Sequence, residues 1–261
     1  MKMRSLGIGL IICLGIAGCK KVEDSQSTGI VLLSQVTHTN GSTTDVSTFK
    51  YDDQNHLIEY NDGFTKRDHK YIYDSKDRIT EADSYGQVSA TPVKDTFTYP
   101  DDNTVTMTET GQPSLPANST PTVFTLNDKK QPVKMLFGNG AGDYSLYTYD
   151  DRGNLLTEIG YLNVTTTTLP SMKVTYVYDQ NKSYFSNVKG SLFLLFGLAF
   201  VNNFTNQTAY DLGHTNGLTH YSNGTFEYNS QGYPVKETRL VTSTANTDVV
   251  TDIYTYTYIS K

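Results

Sequence analysis

YDDRGNLLTEIGY, residues 149–161, places two aspartates and a glycine between tyrosines. Such a stretch is either an acidic site for a metal or a sugar, or a turn between two strands. The rest of the chain decides, because the stretch recurs. Aligned on its opening residue, the chain reads YDDQNHL at 51, YDSKDRI at 73, YPDDNTV at 99, LNDKKQPV at 126, YDDRGNL at 149, YDQNKSY at 178 and YNSQGYPV at 228. The spacings are 22, 26, 27, 23, 29 and 50 residues, so most units have the length of one long hairpin and the last contains an insertion. The position after the opening residue is Asp52, Asp74, Pro100, Asn127, Asp150, Asp179 and Asn229. Asp and Asn there bond backbone N–H groups two residues on, and Pro presets φ for a turn. Four places after the opening residue stand Asn55, Asp77, Asn103, Lys130, Gly153, Lys182 and Gly232, five of them of types that tolerate a left-handed backbone. A type I turn closed by one left-handed residue fits all these features. The acidic stretch is a turn. Calcium takes six to eight oxygens, whereas each turn offers two carboxylates, so no metal is expected.

Two residues before each opening position stand Phe49, Tyr71, Phe97, Phe124, Tyr147, Tyr176 and Phe226, all aromatic. Side chains alternate with period two, so these rings share a sheet face with the opening Tyr or Leu. The residues between are mostly polar: Lys50, Ile72, Thr98, Thr125, Thr148, Val177 and Glu227. One aromatic face and one wet face describe an antiparallel meander. Seven hairpins with a leading strand near 30–37 and a closing strand near 250–259 give an all-β fold of about 14–16 strands. An open sheet of that size curls or closes, so the expected body is a rolled or closed barrel. Its lumen would be too wide for side chains alone to fill. The insertion, placed at about 189–222, carries SLFLLFGLAFV at 191–201, the one long apolar run after the leader. It lacks strand alternation and is expected to be a short apolar helix or plug.

The chain opens MKMRSLGIGLIICLGIAGCK. Lys2 and Arg4 precede an apolar run that ends Ile16-Ala17-Gly18-Cys19, which resembles a bacterial lipobox. The expected organisation is a signal peptide over 1–18, a flexible tether over 19–29 lipidated at Cys19, and one β domain over 30–261. Cys13 would leave with the signal, so no thiol or disulfide chemistry remains. Removing Lys2 and Arg4 from 21 basic residues leaves 19 against 27 acidic ones, a net charge near −8. Nothing there attracts nucleic acid. The membrane is met through the lipid anchor only; polar strands such as TVTMTET argue against a spanning barrel.

The Tyr-Asp-x-x-Gly-Asn-Leu unit at 149–155 resembles the YD repeat of Rhs and teneurin-type proteins. The irregular hairpins together with YDQNKSYFSNVKG, the apolar insertion and YNSQGYPVKE resemble a Bacteroidetes lipoprotein family of unknown function with a porin-like β fold. Its members carry Asn-Pro-Phe where this chain has Ser183-Tyr184-Phe185. Glu23 and Asp24 resemble the surface-export signal of such lipoproteins. The resemblance implies an envelope location at the outer membrane and supplies no catalytic residue.

The chain has no Gly-x-Ser-x-Gly elbow, no HExxH and no phosphate-binding glycine loop. The expected function is therefore non-enzymatic and cofactor-free: binding of a glycan, a peptide or an envelope protein. Tyrosine suits such contacts, with an apolar ring and a polar tip. Tyr210, Tyr221 and Tyr233 are expected in exposed loops, with His214 and His220 beside the first two, and these five are the candidate binding residues. A structural or adhesive scaffold is the alternative, and a hydrolase with an unrecognised site is a second one.

Overall fold

The computed structural model describes residues 29–86, 91–111, 120–138, 141–164, 167–191, 194, 200–213, 217–243 and 246–261. Sixteen antiparallel strands follow in chain order: β1 Val31–Asn40, β2 Thr43–Tyr51, β3 Leu57–Asp62, β4 Arg67–Tyr73, β5 Ile79–Gly86, β6 Val93–Asp101, β7 Thr104–Thr110 and β8 Thr122–Leu126. The second half comprises β9 Pro132–Leu136, β10 Tyr144–Tyr149, β11 Leu155–Val164, β12 Thr167–Tyr178, β13 Phe204–Asp211, β14 Gly217–Tyr228, β15 Pro234–Ser243 and β16 Asn246–Ser260. Each strand pairs with its neighbours in sequence, and β1 pairs with β16 to close the barrel. The backbones of Ile30 and Lys261 exchange two 2.9 Å hydrogen bonds beside that seam. Closure removes the unpaired edges that a sixteen-strand open sheet would expose.

The repeat unit is the device that builds one end of this barrel. In the quoted stretch Asp150 Oδ1 accepts the N–H groups of Gly153 and Asn154, both at 2.8 Å. Gly153 closes the turn at φ 102°. Asn55, Asp77, Lys130 and Gly232 take the same left-handed position. Two units depart from the expected geometry. After Pro100, which has no N–H, the cap moves one residue on, to Asp101, which accepts the Asn103 N–H. Asp179 opens the insertion instead, accepting from Asn181 and from Asn203 at its far end.

A bulge precedes these turns, as between Lys50 and Tyr51, Ile72 and Tyr73, and Thr148 and Tyr149. The opening tyrosine then reaches across to the preceding strand. Tyr51, Tyr73, Tyr99, Tyr149, Tyr178 and Tyr258 donate their hydroxyls to the backbone carbonyls of Leu33, Leu57, Ile79, Pro132, Leu155 and Pro234, at 2.6–2.9 Å. The residues whose carbonyls accept are almost wholly enclosed, so each bond satisfies an acceptor that water does not reach. The aromatic face forms the core: Phe49, Tyr71, Phe97, Phe124, Tyr147 and Tyr176 are all buried. Burial of side chains this large contributes about 1.5–3 kcal/mol each.

The insertion is the β12–β13 connection, residues 179–203, and not 189–222 as the sequence suggests, because β13 and β14 already occupy 204–228. It closes the turn end of the barrel. Asn187 Nδ2 donates to the Val31 carbonyl and to the Tyr233 hydroxyl, both at 2.8 Å. The Lys189 N–H donates to the Asn55 carbonyl at 3.1 Å. Asn154 is 1% exposed. Its Oδ1 accepts the N–H groups of Val201 and Asn202, and its Nδ2 donates to Asn202 Oδ1. Phe185 enters the core, and Tyr184, Val188 and Leu194 pack against it. Apart from Leu194, Phe200 and Val201, the expected helix or plug at 191–201 lies outside the described residues after Ser191. So do the leader, Cys19 and most of the tether.

Candidate binding site at the barrel mouth

The end opposite the turns is the mouth, where β1–β2, β3–β4 and the other odd-to-even hairpins turn. Cross-strand pairing fixes which side chains enter the lumen there. On β1 and β16, Val36 faces Tyr256, His38 faces Tyr254 and Asn40 faces Asp252. On β15, Glu237 and Arg239 face Tyr254 and Asp252. On β2 and β3, Phe49 faces Tyr60. Together these groups, apart from the enclosed Glu237 behind Arg239, wall a cavity of about 540 Å³, floored by Tyr184, Phe185, Phe200 and Phe204. Its rim carries Asn40, Asp62 and Phe64. The volume is that of a small-molecule or oligomer-end site.

The polar groups of this cup are held in pairs. Asp252 Oδ1 is 2.9 Å from His38 Nε2 and accepts from Asn40 Nδ2 at 2.8 Å. The His38 ring stacks on Tyr254 with centroids 4.7 Å apart. Arg239 donates from Nε to Glu237 Oε1 at 2.7 Å, and Tyr256 donates its hydroxyl to Glu237 Oε2 at 2.7 Å. Glu237 is 0% exposed. The guanidinium lies 4.8 Å over both the Phe204 and Tyr254 rings. Burial works against its charge, and Glu237 more than restores it, so the pKa of Arg239 stands above its ordinary value. Gly224 on β14 opposes Arg239. A Cβ there would meet Glu237 Oε1 at 2.8 Å, so the strand carries glycine where the buried pair approaches the backbone. Asp62 caps its own turn, accepting the Phe64 N–H at 3.0 Å. That turn holds the Phe64 ring at the rim, 67% exposed, in an edge contact with the His38 ring at a centroid separation of 5.8 Å.

The opposite wall carries a second polar set. Glu158 lies near Ser145 and Tyr147, which donate to it at 3.1 and 3.5 Å; burial still raises its pKa above the usual carboxylate range. Asp95 faces Glu109 across β6 and β7. Burial first, and the Glu109 charge second, push Asp95 up to about 6. One of its carboxylate oxygens has no hydrogen-bond partner. Neither Asp95 nor Glu109 lines the cup. Among the described residues no cluster of three or more metal-ligating side chains is present.

The residues expected from sequence sit elsewhere. Tyr210 and Tyr221 are on β13 and β14, not in loops. They alternate with inward Ala209 and Ser222, which puts them on the outer wall, and Asn206 Nδ2 donates to the Tyr221 hydroxyl at 2.8 Å. His220 pairs with Ala209 and faces the lumen, but it does not line the cup. Tyr233 is 5% exposed under Lys182 and Asn187 at the turn end, so its expected place in an exposed loop is corrected. Its hydroxyl accepts from Asn187 and its ring lies under Lys182, both residues of the insertion. His214 lies outside the described residues. The cup residues His38, Asp62, Phe64, Arg239 and Asp252 carry no motif. The signal that could have found them is the inward phase of strands already recognised, followed past the aromatic positions toward the mouth.

No family model and no curated protein matches the sequence. Among solved structures, the chain is similar to a porin-like protein from Bacteroides vulgatus ATCC 8482, at 11% identity and TM-score 0.43, covering 88% of this chain and 99% of that one. A porin-like protein from Bacteroides uniformis ATCC 8492 matches at 13% identity and TM-score 0.43, covering 87% and 98%. A chain of the TcdB2-TccC3-TEV structure matches at 11% identity and TM-score 0.30, over 76% of this chain and 10% of that one. Likeness of this degree transfers no function, and the barrel rests on its own strand ladder.

Proposed function

We propose that this chain is a non-enzymatic lipoprotein of the cell envelope that binds a ligand through the mouth of its barrel. The ligand is a glycan, a peptide or a segment of another envelope protein. The observation that carries this reading is the cup: a cavity of about 540 Å³ with an aromatic floor, convergent polar groups and an exposed phenylalanine on its rim. The leader, acylation at Cys19 and the tether over 19–29 would hold the body over 30–261 at the outer membrane. The outer wall supports a body standing in water. Lys50 pairs with Glu59 at 2.5 Å, Lys94 with Glu81 at 2.7 Å and Lys236 with Glu227 at 2.7 Å. Thr96, Thr98, Thr106, Thr108 and Thr125 occupy outward positions between them. Charges in mid-wall are costly against hydrocarbon. Tyr210 and Tyr221 would serve only as a secondary contact on that wall.

The test is ligand-observed NMR of the purified chain against oligosaccharides and short peptides, repeated with Phe64→Ala. Binding that weakens several-fold in the variant supports the cup. Binding untouched by the substitution, or no binding at all, removes it. Proteinase shaving of intact and lysed cells then assigns the side of the membrane. Digestion on intact cells makes external ligands the ones to screen, and digestion only after lysis points to envelope components.

A further inference from the structure

We propose that the turn end of the barrel is the face laid against the lipid surface, so that the cup opens away from the membrane and takes its ligand from the aqueous side. This posture rests on the anchored-lipoprotein reading above and follows from where the tether enters the barrel. Ile30 leads into β1 at the turn end, where its backbone pairs with that of Lys261. Lys261 Nζ donates to the Tyr51 and Asp52 carbonyls at 3.1 and 2.6 Å, and Asn187 Nδ2 donates to the Val31 carbonyl at 2.8 Å. The point of entry is therefore held between the first turn and the insertion, and it does not swing toward the mouth.

Lengths decide the rest. From Val31 to Asn40 β1 runs 10 residues. At about 3.3 Å per residue and a tilt of roughly 40°, the mouth lies about 25 Å beyond the point of entry. A polar chain the length of the tether over 19–29 has a root-mean-square span of about 18 Å and a full extension of about 36 Å. With the turn end down, the relaxed tether suffices. With the mouth down, the point of entry stands about 25 Å or more above the headgroups, and the tether is held beyond its relaxed span. That posture also shuts the cup against the membrane. Exposed apolar side chains do not choose between the ends, since Ile30 and Val201 lie at one and Phe64, Leu162 and Leu169 at the other. Nor does charge, because the turns set Lys129 and Lys130 beside Asp128 and Asp151. The ion-paired, threonine-rich wall offers nothing to hold the barrel on its side. The tether breaks the tie. The ligand then reaches the cup through water, and a lipid of the anchoring leaflet is excluded as its source.

The experiment uses the full acylated chain, reconstituted in phosphatidylethanolamine–phosphatidylglycerol vesicles that carry a headgroup quencher. Fluorophores on single introduced cysteines report proximity to the lipid: Ser75→Cys and Asp128→Cys in turns, Ser42→Cys and Thr168→Cys at the mouth. All these positions are exposed, and the thiol of Cys19 is blocked by its lipid. The turn labels are expected to be quenched several-fold more strongly than the mouth labels. Deleting 22–27 leaves a tether of residues 19–21, 28 and 29, about 18 Å at full stretch and too short for the mouth-down posture, so the same pattern is expected. Stronger quenching at the mouth, equal quenching at both ends, or a pattern that changes with the shortened tether overturns the posture. The mass of the purified chain reads acylation separately. An unmodified Cys19 overturns the anchor and the posture together, whereas an acylated chain quenched at its mouth overturns the posture alone.

Discussion

Asn154 shows how much one residue of a repeat can carry. Its position in YDDRGNL reads as the last residue of a turn, and it is that, with its N–H on Asp150. Its side chain also accepts the Val201 and Asn202 N–H groups at 2.7 and 2.9 Å and donates to Asp150 and Asn202. Removing such a group strands buried donors, at about 1–3 kcal/mol each. Asn154→Ala is therefore expected to lower stability by roughly 3 kcal/mol, read as a drop in the chemical-denaturation midpoint. A loss no greater than that of an exposed turn residue would show that the insertion is not anchored there. Asp95 makes the opposite case. Its folded pKa, about 6, lies above the unfolded aspartate value of about 3.9. The folded state thus prefers the protonated acid, and stability is lost as pH rises between those values. Asp95→Asn is expected to stabilise the protein by about 1 kcal/mol at pH 7, after allowance for solvent screening, and by little at pH 4. Equal gains at both pH values would rule this out.

At the scale of the element, the tyrosine rim and the Arg239–Glu237 strand pair set the energetics. Tyr73→Phe removes one hydroxyl and leaves the Leu57 carbonyl without it. The expected cost is about 1–2 kcal/mol, and Tyr51, Tyr149 and Tyr178 should give similar values because the geometry repeats. Arg239→Met alone leaves Glu237 buried and charged, with an expected loss of about 3–5 kcal/mol. Adding Glu237→Gln should recover part of that loss, and a double mutant no better than the single one would show that the pair is not coupled. The strands themselves were legible because aromatic residues recur two places before each turn. The mouth halves of the same strands were not. There the inward positions change from aromatic to His38, Asp62 and Asp252, and the hydrophobic period that marks a face disappears. The expected insertion bounds of about 189–222 take in β13 and the first half of β14 for the same reason, since FTNQTAYD offers little apolar alternation.

At the scale of the molecule, closure joins residues more than 200 positions apart. Deleting 246–261 would remove β16 and expose the edges of β1 and β15. Loss of a cooperative thermal transition is the expected result, followed by circular dichroism, and a retained transition would mean the sheet is stable open. The sequence by itself determined the repeat, its turn chemistry and its aromatic face, because those depend on neighbours within a few residues and on period-two alternation. It also set the strand number, since each unit is one hairpin. Tertiary structure alone decided where the insertion seats, which asparagine holds it, and which side chains share the mouth. The reason is physical: His38 meets Asp252 only because the first and last strands pair, and no local rule relates residues that far apart.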